Sequence, residues 1–289
     1  MISIIVTAYN VASTIVNTIQ SILNQTYKNF ELIIVEDCST DNTLDLIKSF
    51  KDKRIKLIQQ PENCGAGLSR RVGILNSSGE YTIFVDGDDT IEKDCLEIMY
   101  KSAKETNSDI TSCGVRVFDD RKELIYKCEC GIYKDLDKFT HTEYFFSLYL
   151  NNKLIKRHLW EKVTYSSLRF IEDTPTAFRL FYYANQISYI DYIGYNYFQN
   201  SNSLCHTATN TKYCIYLILS QIENAEFFKD KDIKYRFLGN KEKIVSSIGL
   251  FNLNNLTFKD ISPYIKEYNK IIEYVNNINY EKKNWNNKW

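Results

Sequence analysis

The sequence lacks an excess of charge of either sign, because 36 lysines and arginines stand against 36 aspartates and glutamates. Without a net positive field the chain does not gather polyanions, so we expect no nucleic-acid partner. It also lacks an apolar run near the roughly 20 residues of a membrane-spanning helix, and it lacks a basic leader with a signal core. These absences predict a cytoplasmic protein, with at most a peripheral hold on the inner face of a membrane.

Paired cysteine spacings of the zinc type are absent as well, although the chain has 8 cysteines. Cys128 and Cys130 form a single CxC motif. We interpret them as free thiols in a reducing compartment rather than as a metal or redox site. Internal repeats and low-complexity linkers are also absent. Hydrophobic residues make up 44% of the chain and charged residues 25%, so wholesale disorder is excluded and a folded domain is expected.

Short apolar runs alternate with helical spacing along the first hundred residues. The runs at 2–7, 30–35, 55–58 and 81–85 predict strands, and the segments between them predict helices. Strands that are apolar throughout, each followed by a helix, indicate a mainly parallel sheet with helices on both faces. Later strands are predicted at 110–118, 187–190 and 195–198, and the last 85 residues have a helical pattern.

Asp86, Gly87 and Asp88 directly follow the fourth predicted strand. In an extended chain residues i and i+2 face the same way, and the glycine lets the backbone turn, so both carboxylates can bind the same ligand. A hard cation such as Mg²⁺ or Mn²⁺ prefers such oxygen ligands. Alone the signal is weak, because acidic solvated turns after strands are common.

The first hundred residues also carry a set of motifs in a fixed order, and together they resemble the family 2 glycosyltransferases with the GT-A fold. The matching segments are residues 3–10, 21–27, 31–41, Asn63-Cys64-Gly65, Arg70, Gly73, 79–81 and 84–89. The resemblance implies an α/β fold, with a mainly parallel sheet flanked by helices. We predict a nucleotide-sugar-binding and catalytic domain over residues 1–204 and a helical C-terminal extension over 205–289.

The resemblance also implies a donor site for a nucleotide-sugar, usually a UDP-sugar, together with Mn²⁺ or Mg²⁺. It assigns the base and ribose to Thr7, Ala8, Tyr9 and Asp37. It places Arg70 near the nucleotide, and it gives the ribose and the diphosphate-bound metal to Asp86, Gly87 and Asp88. From the residues alone, Asp37 could merely end a strand and Arg70 could lie on a helix surface. His206 could complete the metal site, although a loop histidine is more often solvated.

The segment around Asp173 is similar to the one that supplies the catalytic base in this family. The resemblance assigns Asp173 as the base and Glu172 as its support or as an acceptor contact. An inverting transfer needs a carboxylate that takes the proton of the acceptor hydroxyl in a single displacement. Asp173 is also the expected N-cap of a helix that begins near Thr174 and Pro175, and both roles can hold together.

The implied activity is that of an inverting, metal-dependent hexosyl- or N-acetylhexosaminyltransferase. Its acceptor would be a hydroxyl of a growing surface glycan, such as capsule or lipopolysaccharide, free or lipid-linked. The end of the chain, residues 282–289, mixes lysine with tryptophan, which fits contact with an anionic membrane. A packed helical cap with a frayed tail explains the same composition.

Two other functions fit part of the sequence. A sugar-phosphate nucleotidyltransferase shares this sheet architecture, but it needs a glycine-rich basic loop after the first strand, and residues 8–11 form no such loop. A non-catalytic GT-A-like partner protein that binds sugar or nucleotide would be expected to have lost Asp86, Asp88 or Asp173. All three are present.

Overall fold

A computed structural model describes residues 1–119, 122–139, 148–199, 210–232 and 262–286 of the chain. The chain divides into two compact units. One unit contains Met1–Arg169 and Thr176–Asn200, and the other contains Phe170–Pro175 and Ser201–Trp289. The boundary predicted between residues 204 and 205 lies outside the described residues and stays a prediction.

Ten described strands form one sheet in the first unit. They are β1 (Ile2–Ala8), β2 (Phe30–Glu36), β3 (Ile55–Gln59), β4 (Tyr81–Asp86), β5 (Thr90–Ile91), β6 (Ile110–Asp119), β7 (Lys122–Tyr126), β8 (Gly131–Lys134), β9 (Lys153–Lys156) and β10 (Gln186–Phe198). The order across the sheet is β3-β2-β1-β4-β9-β6-β10-β5, with β7 also paired to β6 and β8 to β10.

Helices follow most strands of the first half of the chain, as the periodicity predicts. The α-helices are α1 (Ile15–Leu23), α2 (Thr43–Ser49), α3 (Ala66–Leu75), α4 (Cys95–Thr106), α5 (Asp173–Tyr183), α6 (Asn210–Phe228) and α7 (Ile265–Asn286). Short 3₁₀ helices occur at Asp135–Phe139, Arg157–Glu161 and Ser262–Tyr264. Among the described residues, no helix combines the length and the apolar character that crossing a membrane requires.

Strand β1 lies between β2 and β4, and it is parallel to both. In this register Thr7 is opposite Val35 on one side and Asp86 on the other. The carboxyl ends of the three strands therefore meet at one edge of the sheet, where open α/β sheets bind ligands. The α/β class and the four strands of the first half are confirmed.

The second half of the sheet is mixed rather than parallel. Strand β9 is antiparallel to both β4 and β6, whereas β6 and β10 are parallel to each other. The strands predicted at 187–190 and 195–198 are one continuous strand, β10, with register shifts between Tyr189 and Tyr195. Such irregularities bend a strand and re-aim its side chains, and they explain why the apolar pattern is interrupted there.

Close packing of α3 and its following loop on β1 depends on two glycines. A Cβ at Gly73 would lie 2.3 Å from Cγ2 of Ile5, and one at Gly79 would lie 2.6 Å from the backbone nitrogen of Ser3. Since real Cβ atoms do not approach other atoms this closely, any larger residue would push the helix or loop away. The two glycines thereby fix α3 close to β1.

Candidate functional site

The carboxylate of Asp86, the last residue of β4, is held by three side chains from other elements. Nη2 of Arg70 in α3 donates to its Oδ1 at 2.7 Å, and Oγ1 of Thr7 in β1 donates to the same oxygen at 3.3 Å. Nδ2 of Asn151 donates to Oδ2 at 2.7 Å. Arg70 is 4% exposed, so the alternative of a surface helix residue is wrong.

The backbone turns sharply after Asp86. The backbone N–H of Asp89 donates to the carbonyl of Asp86 at 3.0 Å, and that of Gly87 donates to the carbonyl of Thr7 at 3.0 Å. The carbonyl of Gly87 accepts a hydrogen bond from the Thr18 hydroxyl, also at 3.0 Å. A Cβ at Gly87 would lie 3.0 Å from the oxygen of Thr7, so the turn needs glycine here to lie against β1.

Asp88 is half-buried in this turn. Burial, together with the nearby charge of Asp86, raises the pKa of Asp88 to about 6. Both causes disfavour a second negative charge at this place, and a divalent cation would relieve them. Asp86 and Asp88 thus have the hard oxygen donors that suit Mg²⁺ or Mn²⁺. The described residues form no cluster of three or more His, Cys, Asp or Glu side chains that could hold a metal ion.

Asp89, the next residue, is fully buried. Its Oδ2 accepts a hydrogen bond from the Tyr195 hydroxyl at 2.6 Å, and its Oδ1 accepts one from the backbone N–H of Phe198 at 3.0 Å. Burial first, and then the charges of Asp88 and Asp86, raise the pKa of Asp89 well above its usual range. Asp89 therefore joins the turn at residues 86–89, the acidic turn, to β10.

Asp37, just after β2, uses its carboxylate to organise a loop. Oδ1 accepts hydrogen bonds from Nε2 of Gln60 at 2.5 Å and from the backbone N–H of Cys64 at 2.8 Å. Oδ2 accepts one from the backbone N–H of Gly65 at 2.8 Å. Gly65 has a φ of 86°, which favours glycine. Asp37 thus does more than end a strand, and its assignment to the base and ribose stays a prediction.

The residues after β1 are tied to the loop after β2. The backbone N–H of Asp37 donates to the carbonyl of Ala8 at 2.9 Å, and that of Thr40 donates to Oδ1 of Asn10 at 2.8 Å. Ala8 is buried, whereas the side chain of Tyr9 is 44% exposed. An exposed aromatic ring at this edge of the sheet can stack on a flat ligand such as a nucleobase.

Glu172 and Asp173 belong to the second unit. Asp173 is the first residue of α5, one position inside the helix from the cap position expected from sequence, and its role as a base stays a prediction. The preceding Ile171 has a φ of 58°, an unfavourable backbone conformation for a β-branched residue. Phe170 packs against the rings of Tyr213 and Tyr216 in α6. His206 lies outside the described residues.

A family model described as "Glycosyl transferase family 2" matches residues 3–171. The chain belongs to glycosyl transferase family 2. Its glycosyltransferase activity follows from this membership, and the nucleotidyltransferase and non-catalytic alternatives are set aside.

Two curated relatives are glycosyltransferases of Streptococcus pneumoniae serotype 4. GlyG is 29% identical over 224 residues, which cover 72% of this chain and 73% of GlyG. GlyA is 31% identical over 222 residues, which also cover 72% of this chain but only 32% of GlyA. The chain therefore spans most of the first relative and about a third of the second.

Two solved structures show the same fold. Residues 1–349 of S. aureus TarS, in complex with UDP-GlcNAc, align with a TM-score of 0.73 at 21% identity, covering 94% of this chain and 80% of that one. The mannosyltransferase PcManGT from Pyrobaculum calidifontis, in complex with GDP-Man and Mn²⁺, aligns with a TM-score of 0.58 at 13% identity and the same coverage. This glycosyltransferase therefore has the GT-A fold expected from its sequence.

Sequence reasoning did not identify Asn151 or Tyr195 as neighbours of the acidic turn. Asn151 lies in no motif of the sequence analysis, and Tyr195 belongs to a predicted strand. Both contact Asp86, although 65 and 109 residues separate them from it along the chain. Local spacing carries no signal for contacts of this kind.

Proposed function

We propose that this glycosyltransferase moves a hexosyl or N-acetylhexosaminyl group from a UDP-sugar to a hydroxyl of a growing surface glycan, with inversion and with Mn²⁺ or Mg²⁺. The observation that carries the proposal is the arrangement at the ends of β1 and β4. There the buried Arg70 and the half-buried Thr7 hold the Asp86 carboxylate, and Asp88 follows in the same turn.

The donor half of the proposal assigns roles to residues of the first unit. Asp88 and Asp86 would hold the metal, which neutralises the charge that the leaving nucleoside diphosphate develops. Arg70 would hold the Asp86 carboxylate in place. The exposed ring of Tyr9 would stack on the base beside Ala8 and Thr7. UDP is the nucleotide we favour, since it is the usual donor of the family that the sequence resembles and since TarS, which has the same fold, forms a complex with UDP-GlcNAc.

The acceptor half assigns Asp173 as the base. Its carboxylate would accept the proton of the acceptor hydroxyl as the oxygen attacks the anomeric carbon opposite the diphosphate. Glu172 would support it or contact the acceptor. The match of this segment to the family motif supports the assignment, and the position at the start of α5 is compatible with it. Peripheral membrane contact through residues 282–289 stays a prediction, and residues 287–289 lie outside the described ranges.

Thermal unfolding with UDP, GDP, CDP and dTDP, each with Mn²⁺ and with a chelator, tests the donor site. A ligand at about 100 times its dissociation constant stabilises the fold by about 2.7 kcal/mol, which raises the melting temperature measurably. We expect a shift with UDP that disappears with chelator and in Asp88→Asn, and that persists in Asp45→Asn, a control on the surface of α2. If none of the four nucleotides shifts the melting temperature, the proposal is contradicted.

A further inference from the structure

Asn151 and Tyr195 join the two ends of the acidic turn, Asp86 and Asp89, in one hydrogen-bond network. Nδ2 of Asn151 donates to Oδ2 of Asp86 at 2.7 Å, and the Tyr195 hydroxyl donates to Oδ2 of Asp89 at 2.6 Å. The same hydroxyl is 3.3 Å from its two donors, the backbone N–H of Asp86 and Nδ2 of Asn151. One donor and two acceptor positions are all that a tyrosine hydroxyl offers, so these contacts use Tyr195 completely.

The amide of Asn151 is held in one orientation. Both hydrogens of Nδ2 have acceptors, Asp86 and Tyr195, whereas Oδ1 is buried without a hydrogen-bond partner among the described residues. Turning the amide over would bring Oδ1 against the Asp86 carboxylate, so the unpaired oxygen cannot be relieved that way. A buried acceptor without a partner lowers stability. Asn151 therefore lowers the stability of the fold through its unpaired Oδ1 while its Nδ2 holds Asp86.

The contacts of Asn151 and Arg70 reach different oxygens of Asp86. Arg70 and Thr7 bond Oδ1, whereas Asn151 bonds Oδ2. With both oxygens held, the plane of the carboxylate cannot rotate. A ligand that binds to a carboxylate already fixed in this way does not have to order it, and preorganisation of this kind increases affinity.

We propose that Asn151 and Tyr195 are positioning residues, which hold the Asp86 carboxylate and the turn from Asp86 to Asp89 in the arrangement that binds a nucleoside diphosphate and its metal. This inference rests on the proposed function, because it takes the turn as the donor site. Neither residue needs to touch the donor. Each acts through an aspartate of the turn, Asn151 on Asp86 and Tyr195 on both Asp86 and Asp89.

Asn151→Leu separates positioning from a merely structural role, because it removes the Nδ2 donor and the unpaired Oδ1 together at similar volume. A structural role predicts a lower melting temperature and unchanged nucleotide affinity. Positioning predicts the opposite pattern. The melting temperature should be equal to the parent's or higher, and the dissociation constant for UDP with Mn²⁺ should rise about 10-fold. A loss of this size is expected for a hydrogen bond to a charged group. Isothermal titration calorimetry with UDP and Mn²⁺ measures the affinity.

Asn152→Leu is the matched control. Asn152 is buried like its neighbour, but Nδ2 donates to Oγ of Ser112 and to the carbonyl of Cys113, and Oδ1 accepts from Nζ of Lys153 at 2.8 Å. Its amide therefore has partners on both sides, none of them in the acidic turn. We expect this variant to lose stability and to bind UDP with the parent's affinity.

Tyr195→Phe is a second, independent variant, with Tyr189→Phe on the same strand as its control. Removing the Tyr195 hydroxyl should weaken UDP binding about 10-fold, and the control should not. Affinities of Asn151→Leu and Tyr195→Phe within about twofold of the parent would overturn the inference. If Asp88→Asn then loses UDP, only the positioning role fails. If Asp88→Asn also keeps UDP, the donor site itself has been assigned wrongly.

Discussion

Arg70 and Asp86 form an ion pair at 2.7 Å in which the positive partner is the more buried one. The side chain of Arg70 is 5% exposed and that of Asp86 is 26% exposed. A guanidinium stays charged on burial, and the described partners of Arg70 include the Asp86 carboxylate and the Tyr165 hydroxyl, which lies 3.4 Å from its Nη1. Asp86 is thus a counter-ion of the fold as well as a candidate ligand.

Asp86→Asn is expected to lower both stability and nucleotide binding, because it removes the negative charge from the ion pair with the buried Arg70. The free energy of unfolding should fall by about 2–3 kcal/mol, less than for a fully buried pair because Asp86 is partly exposed. Urea unfolding measures this loss. The double variant Arg70→Met with Asp86→Leu should recover part of the stability without recovering UDP binding. Equal stability of the parent and Asp86→Asn would refute the role of the ion pair.

Asp173→Asn is expected to abolish transfer while it spares donor binding. Loss of a general base lowers rates by about 10²- to 10⁴-fold, whereas Arg70, Asp86 and Asp88 of the proposed donor site belong to the first unit. The rate is measured as UDP release in the presence of acceptor, and donor affinity by calorimetry. Glu97→Gln is the control, since Glu97 is an exposed acidic residue in the first turn of α4. This variant removes a negative charge at the start of a helix without changing the proposed base. Equal loss of transfer and donor binding would reject the base assignment.

Asp37→Asn is expected to destabilise the loop before α3. Each carboxylate oxygen accepts at least one hydrogen bond, and two of the donors are the backbone N–H groups of Cys64 and Gly65. An amide nitrogen in place of either oxygen would face a donor, at a cost of about 1–3 kcal/mol in unfolding free energy. Urea unfolding measures it, with Glu62→Gln on the exposed part of the same loop as the control. Unchanged stability would show that the loop does not depend on Asp37.

Glu31 predicts a pH dependence of stability. Burial alone would raise its pKa, but hydrogen bonds from Ser3 and Ser78 outweigh it and lower the pKa. Because the pKa is lower in the folded state, the stabilisation is present above the unfolded value of about 4.3 and is lost as the pH falls through the folded value. Glu31→Gln should lower the melting temperature at pH 7 and flatten its fall below pH 5. The exposed Glu105→Gln should leave the profile unchanged; a parental profile in Glu31→Gln would contradict the prediction.

The first half of the fold could be predicted because its signals are local. A parallel sheet covered on both faces favours strands that are nearly continuous apolar runs, and 2–7, 30–35 and 81–85 have that pattern apart from one or two polar residues each. The acidic turn follows directly from Asp86-Gly87-Asp88.

The rest could not be predicted because it depends on contacts between distant segments. Strands β5, β7, β8 and β9 contain two to five residues each, too few for a periodic signal. The role of Arg70 as a buried counter-ion and the contacts of Asn151 and Tyr195 exist only once the sheet has assembled. The sequence indicates the candidate ligand-binding residues by their motifs, whereas their contact partners Asn151 and Tyr195 lie in ordinary polar or apolar segments.

The packing of Phe170 on α6 bears on how such enzymes can be recombined. Phe170 contacts the rings of Tyr213 and Tyr216, and Nζ of Lys212 lies 5.0 Å from the centre of its ring. These partners lie in sequence far beyond Glu172 and Asp173, yet they belong to the same unit as that pair. A chimera that exchanges only residues 201–289 with a relative would give Phe170 foreign neighbours. The natural module for exchange therefore includes 170–175, so that the acidic pair is inherited together with the helix on which Phe170 packs.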